Sequence, residues 1–246
     1  MSVASAERLL GRDPSTGRGV AVTAEGGVIK SVEFVEHAEH RWLSAGFVDL
    51  QVNGYAGHDL NGPSLDVATV RSLCHALLKV GVTTFLPTLI TASEARLVAA
   101  LRTIREACAQ HPEVAAMVAG VHVEGPHIAP EDGPRGAHPA AEVRAPSVAE
   151  FDRWQQTAGG LVKLVTLSPH WPEAPAYVRH LVKAGVIVSL GHTSADAAQI
   201  AAAVEAGAVF AENQALRTDG PALDQARATL TAARAKQAVD CREIGR

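Results

Sequence analysis

Lys183-Ala-Gly-Val-Ile-Val-Ser-Leu-Gly-His-Thr-Ser194 holds one complete repeat of a fold in twelve residues. Lys183-Ala-Gly185 closes an amphipathic stretch with the residue that best tolerates the left-handed backbone of a helix end. Val186 to Leu190 follow without polar alternation, so the predicted strand is buried on both faces. Gly191, His192 and Thr193 then place polar groups at its C-terminal end, and Ser194 is available to cap the next helix.

The same unit recurs in both directions. Apolar runs at Phe47 to Val52, Val82 to Leu89, Val118 to Val123, Val162 to Leu167 and Ala208 to Ala211 bring the predicted strands to six. Amphipathic stretches separate them: Asp66 to Val80, Ser93 to Gln110, Val148 to Thr157, Glu173 to Ala184 and Ala195 to Ala206. Leu73, Leu77 and Val80, then Leu97, Leu101 and Ile104, recur at helical spacing. Strands joined by single helices are parallel, so the class is α/β, either an open doubly wound sheet or a (β/α)8 barrel. An open nucleotide-binding sheet favours a Gly-rich turn after its first strand, whereas this one ends in Gln51-Val-Asn-Gly54. Polar residues stand at almost every strand end: Gln51 and Asn53, Thr88, His122 and Glu124, Ser168, His192, Glu212 and Asn213. A barrel gathers such ends around one mouth, and the reading adopted is an incomplete TIM-type (β/α)8 barrel of about six βα units.

Residues 1–45 have another texture. Val20 to Thr23 and Val28 to Val32, joined at Gly26-Gly27, predict two short antiparallel strands. The predicted organisation is a partial small β-sandwich domain at 1–45, the barrel at 46–213 and a divergent helical tail at 214–246, starting near Pro221.

Of the 246 residues, 47% are hydrophobic and 20% charged, which excludes whole-chain disorder. The formal charge of −4, without a basic block, excludes a nucleic-acid partner and favours a small molecule. Cys74, Cys108 and Cys241 are too few and too scattered for a disulfide framework and suit a reducing compartment. No signal peptide or apolar span is predicted, so the expected location is cytoplasmic and no membrane is expected as a partner.

Val121-His-Val-Glu-Gly-Pro126 is the strongest chemical signal. His122 and Glu124 are two apart on a strand and share a face, and Gly125-Pro126 ends the strand at the carboxylate. A carboxylate facing into a barrel needs a counter-charge or a metal. His192, two strands away at the same mouth, could share an ion with Glu124. One Glu and one His suit zinc or a similar divalent metal, which needs further ligands. The competing reading of a lone strand-end His is a hydrogen-bonded structural residue.

Gly46-Phe-Val-Asp-Leu-Gln-Val-Asn-Gly54, Gly81-Val-Thr-Thr-Phe-Leu-Pro-Thr-Leu-Ile-Thr91, Gly120-Val-His-Val-Glu-Gly-Pro126, Arg135-Gly-Ala-His-Pro139 and Ser189-Leu-Gly-His192 together resemble the N-acetylglucosamine-6-phosphate deacetylases of the amidohydrolase superfamily, over roughly residues 18 to 210. The resemblance implies removal of acetate from N-acetylglucosamine 6-phosphate to give glucosamine 6-phosphate. It implies one divalent metal ion, zinc or else iron or another divalent ion, held by Glu124 and His192. It places Ala137 and His138 against the substrate, with His138 orienting or polarising the acetyl group. It also implies a homodimer. Gln51-x-Asn53 replaces the His-x-His found on the first strand in much of the superfamily, as in the subgroup with a single metal.

The sequence departs from that pattern after the fifth strand. Where the family has a third metal-binding His, this chain has Asn213, preceded by Glu212. The family's catalytic Asp on the eighth strand has no counterpart, so no catalytic residue is assigned. Two other readings therefore stand beside the deacetylase: a non-catalytic truncated fragment or pseudoenzyme, and a different amidohydrolase such as a cyclic amidase or deaminase, against which the missing His-x-His counts.

Overall fold

The structure, a computed structural model, describes residues 7–36 and 40–211. The chain divides into two units, at residues 1–47 and 48–246.

The first unit is built on β1 (Glu7–Arg12), β2 (Gly19–Glu25) and β3 (Val28–Val35), an antiparallel sheet in that order. Gly26 and Gly27 both have positive φ, 58° and 76°, the geometry a two-residue hairpin turn demands. The predicted pair Val20 to Thr23 and Val28 to Val32 is therefore present, and β1 is an addition to it. One sheet face is apolar and open: Ile29, Val32 and Phe34 are 63%, 64% and 58% exposed.

The second unit begins with β4 (Phe47–Val52) and a small ribbon of β5 (Gly54–Tyr55) and β6 (His58–Asp59). Then α1 (Val67–Leu78), β7 (Val82–Ile90), α2 (Glu94–Gln110), a short α3 (Pro112–Met117) and β8 (Val121–Glu124) follow. The remaining described elements are α4 (Val148–Ala158), β9 (Val162–Leu167), α5 (Ala174–Lys183), β10 (Ile187–Leu190), α6 (Ala197–Glu205) and β11 (Phe210–Ala211). Six strands form one sheet in the order β11-β10-β9-β8-β7-β4. From β7 to β11 each neighbouring pair is parallel. This is the predicted partial TIM-type barrel, curled with its helices outside.

Local chemistry explains the elements. Asp66 accepts a hydrogen bond from Thr69 N at 2.7 Å and starts α1, whose inner face is Val70, Leu73, Cys74 and Leu77. Helix α1 stops at Leu78, and Val80, read as part of the apolar stripe, is 48% exposed. Ser93 caps α2, which buries Leu97, Leu101, Ile104 and Ala107. The expected Ser194 cap is corrected: Asp196 and Gln199 form a reciprocal capping box on α6, while Ser194 Oγ donates to Glu131 Oε2 at 3.1 Å. Val118 pairs with Phe85 only as an isolated bridge, because Pro112 starts α3 and the chain is still helical up to Met117.

Two side chains strap this unit together. Asn61 donates through Nδ2 to Thr88 O at 3.0 Å and accepts at Oδ1 from Ile90 N at 2.9 Å, holding the end of β7. Arg144 donates to Glu150, to Ala92 O at 3.0 Å and to Glu142 O at 2.7 Å, fastening the long segment after β8 to α4 and to the loop before α2.

Candidate metal centre

Glu124 is the last residue of β8, and all four residues of that strand are buried. Gly125, at φ 81°, turns the chain away. A side chain there would collide with Thr91 Oγ1, so the turn needs glycine for space as well as for conformation. His192 follows β10 with φ 48°, a left-handed backbone that costs a non-glycine residue roughly 1–3 kcal/mol. His138 comes from the segment between β8 and α4. Glu124, His138 and His192 are 4%, 6% and 5% exposed.

The three converge. His192 Nε2 is 3.0 Å and His138 Nε2 3.8 Å from the same Glu124 oxygen. The two imidazoles meet edge to face with centroids 4.4 Å apart. One ligand atom from each residue lies within 4.8 Å of the others. Bonds of 2.0–2.1 Å around a tetrahedral zinc put ligand atoms about 3.3 Å apart, so the 3.0 Å between His192 Nε2 and the Glu124 oxygen is close to what a small ion requires. The far nitrogens are also engaged: His192 Nδ1 lies 3.1 Å from Pro134 O, and His138 Nδ1 lies 2.8 Å from Thr91 Oγ1. Outer partners of this kind fix ring orientation in metal sites.

A carbonyl can only accept, so His192 Nδ1 carries the hydrogen and Nε2 of the neutral ring is bare, facing a carboxylate. That juxtaposition calls for a cation, and a carboxylate with an imidazole begins a donor set suited to zinc or a similar divalent ion. Burial opposes ionisation of Glu124; when His192 carries a hydrogen on both nitrogens, its Nε2–H bonds the carboxylate, and with the nearby His138 and His122 this outweighs burial and holds the carboxyl below its usual range. Burial takes His138 down to about 4, with His192 reinforcing the effect, so the ring is neutral near pH 7.

The other expected positions are placed differently. His122 is buried on β8 between Thr166 Oγ1 at 2.8 Å and Thr88 Oγ1 at 3.4 Å, and lies outside the three-residue cluster. Gln51 is exposed on β4, and Asn53 is half-buried with its carbonyl accepting from Leu60 N at 3.0 Å. Neither shares a described hydrogen bond with the cluster. Ala137 is exposed next to His138. Glu212, Asn213 and the predicted tail lie outside the described residues. Thr91 is the residue that sequence reasoning missed, although it ends one of the quoted motifs. Polar strand ends also meet elsewhere at the mouth: Ser168 Oγ lies 2.6 Å from His170 Nδ1 and 2.7 Å from Thr193 Oγ1.

A parallel βα sheet with a buried Glu-His-His cluster at one mouth is an arrangement that could hold a divalent metal ion. The Amidohydrolase family matches residues 42–234, and this chain belongs to that family. The N-acetylglucosamine-6-phosphate deacetylase of Bacillus subtilis (strain 168) is 36% identical over 168 residues, covering 68% of this chain and 41% of that protein. The N-acetylgalactosamine-6-phosphate deacetylase of Shewanella sp. (strain ANA-3) is 38% identical over 168 residues, covering 68% and 40%. In structure, N-acetylglucosamine-6-phosphate deacetylase from Pasteurella multocida superposes with a TM-score of 0.70 at 29% identity, over 82% of this chain and 55% of that one. The chain thus spans about two fifths of the length of the curated relatives it matches.

Proposed function

We propose that this chain carries the metal-binding half of a deacetylase acting on an N-acetylhexosamine 6-phosphate, with N-acetylglucosamine 6-phosphate as the first substrate to test. The convergence of Glu124, His138 and His192 at one strand-end mouth carries this reading. Glu124 and His192 hold the ion, zinc in the first instance, and His138 with the backbone at Ala137 meets the acetyl end of the sugar. When bound, such an ion polarises an acyl oxygen and lowers the pKa of a water. In the overall reaction the water oxygen joins the acetyl carbon, the C–N bond breaks, and the amine leaves with a proton. The chain's own residues bury the site, orient the acetyl oxygen and exclude bulk water.

The galactosamine epimer is the second substrate to test, since relatives of comparable identity are named for each. The body of the hydrolase is assigned to 46–213 and the accessory β unit to 1–45. Cys74 and Cys108 are free thiols, which favours the cytoplasm. No helix among the described residues is long and apolar enough to cross a membrane.

The test is metal content and acetate release on the full chain, with N-acetylglucosamine 6-phosphate and its epimer as substrates. About one bound zinc and acetate release abolished by Glu124→Gln support the reading. Zinc binding without turnover on either sugar leaves a pseudoenzyme instead, and protein that binds no zinc overturns both the ion assignment and the hydrolase.

A further inference from the structure

Thr91 meets His138 with both its main chain and its side chain. Its backbone N–H points at His138 Nδ1 over 3.4 Å, and its Oγ1 lies 2.8 Å from the same nitrogen. Thr91 is 1% exposed, so water does not reach these groups. A side chain at position 125 would collide with the same hydroxyl, so Gly125 leaves it room.

The donors can be counted. Thr91 brings an amide hydrogen and a hydroxyl hydrogen to one nitrogen. If Nδ1 held a hydrogen of its own, it would donate to the hydroxyl oxygen, and the two Thr91 hydrogens would lose the nitrogen as their acceptor. With Nδ1 bare, its lone pair accepts from the Thr91 hydroxyl at 2.8 Å and is shared by the Thr91 amide at 3.4 Å. The neutral ring then carries its hydrogen on Nε2, the atom that faces Glu124. His192 has the opposite arrangement, because its Nδ1 faces the carbonyl of Pro134 at 3.1 Å.

We propose that Thr91 is a positioning residue that holds His138 as an Nε2–H donor, the tautomer opposite to that of His192. This rests on the functional reading above and divides its labour. His192 presents a lone pair to the cation, and His138 presents a hydrogen to an oxygen, that of the substrate acetyl group. Two rings of the same kind facing one carboxylate are thereby kept from competing for one task.

The experiment is long-range 1H–15N correlation of the imidazole nitrogens in the full chain at pH 7.5, metal-free, in the unaltered protein and in Thr91→Ser and Thr91→Val, with His138→Gln to assign the signals. His138 should show a protonated Nε2 and a bare Nδ1 in the unaltered protein and in Thr91→Ser. Thr91→Val, left with one donor of two, should give a mixture of tautomers while His192 is unchanged. An Nδ1-protonated His138 in the unaltered protein overturns the proposal, as does a Thr91→Val spectrum identical to it. If Thr91→Val does not fold, the unaltered protein and Thr91→Ser still decide the tautomer. Loading with cadmium-113 should then give coupling to His192 Nε2 and none to His138, and coupling to His138 overturns its role as donor. Failure to bind cadmium defeats the ion assignment, while the tautomer, read without metal, still decides this proposal.

Discussion

Glu124 Oε1 and His192 Nε2 stand 3.0 Å apart, each offering a lone pair in the neutral ring, because the His192 hydrogen is committed to Pro134 O. A cation closes that gap, and a proton and a metal ion compete for it. Zinc affinity should therefore rise with pH by up to about tenfold per unit while one proton is displaced. Titration against a chelator from pH 5.5 to 7.5 measures it, and an affinity independent of pH would count against the arrangement. Glu124→Gln or His192→Asn should weaken binding by more than about 100-fold, the upper end for loss of an outer partner alone.

His122 and His127 are buried rings whose pKa is lowered by burial to about 4. Each is neutral in the folded chain, whereas the unfolded chain takes up a proton below its ordinary value near 6.5. Between about pH 6.5 and 4 the unfolded state binds more protons, so stability rises with pH there and is lost as pH falls. The slope is up to about 1.4 kcal/mol per pH unit for each ring. Urea midpoints at pH 7 and pH 5 should differ accordingly, and His127→Gln should flatten the dependence.

Glu150 is 4% exposed and is held by Arg144, which also donates to Ala92 O and Glu142 O. Arg144→Ala leaves a buried carboxylate without its partner and should cost about 3 kcal/mol. Adding Glu150→Gln should recover part of that loss. Denaturant melts of the single and double variants provide the comparison, and an Arg144→Ala cost below about 1 kcal/mol would show that the strap is unimportant.

The open apolar face of the β1–β3 sheet presents Ile29 and Val32 to solvent. Such a face drives association unless it is covered. Sedimentation of the full chain should show concentration-dependent self-association, reduced in Ile29→Lys and Val32→Lys. Identical profiles for the three proteins would rule this face out as the cause.

Much of the scaffold is legible in residue order. Apolar runs mark the strands, and the Gly that follows Lys79-Val, Lys183-Ala and Glu205-Ala has positive φ in each case, at 81, 185 and 207. Glu124 and His192 can be found from sequence because each ends an apolar run. His138 lies in an irregular segment and is legible only through the family resemblance. The contact between Thr91 and His138 spans 47 residues and follows no local period. The differences are local competitions: Val118 has the apolar character of a strand residue but directly follows the helix that starts at Pro112, and Asp196, with Gln199 three residues on, caps α6 in place of Ser194.

Asn61 gives the end of β7 a meaning beyond holding it. It takes the Ile90 N–H and the Thr88 carbonyl on a side-chain amide along one edge of β7, while the other edge pairs with β8 as far as Ile90 and Glu124. The ladder stops at Ile90, and the next amide, that of Thr91, points at an imidazole instead of a neighbouring strand. A sheet that paired through to its last residue would have left His138 without that donor. The chemistry of the mouth depends on where the ladder stops.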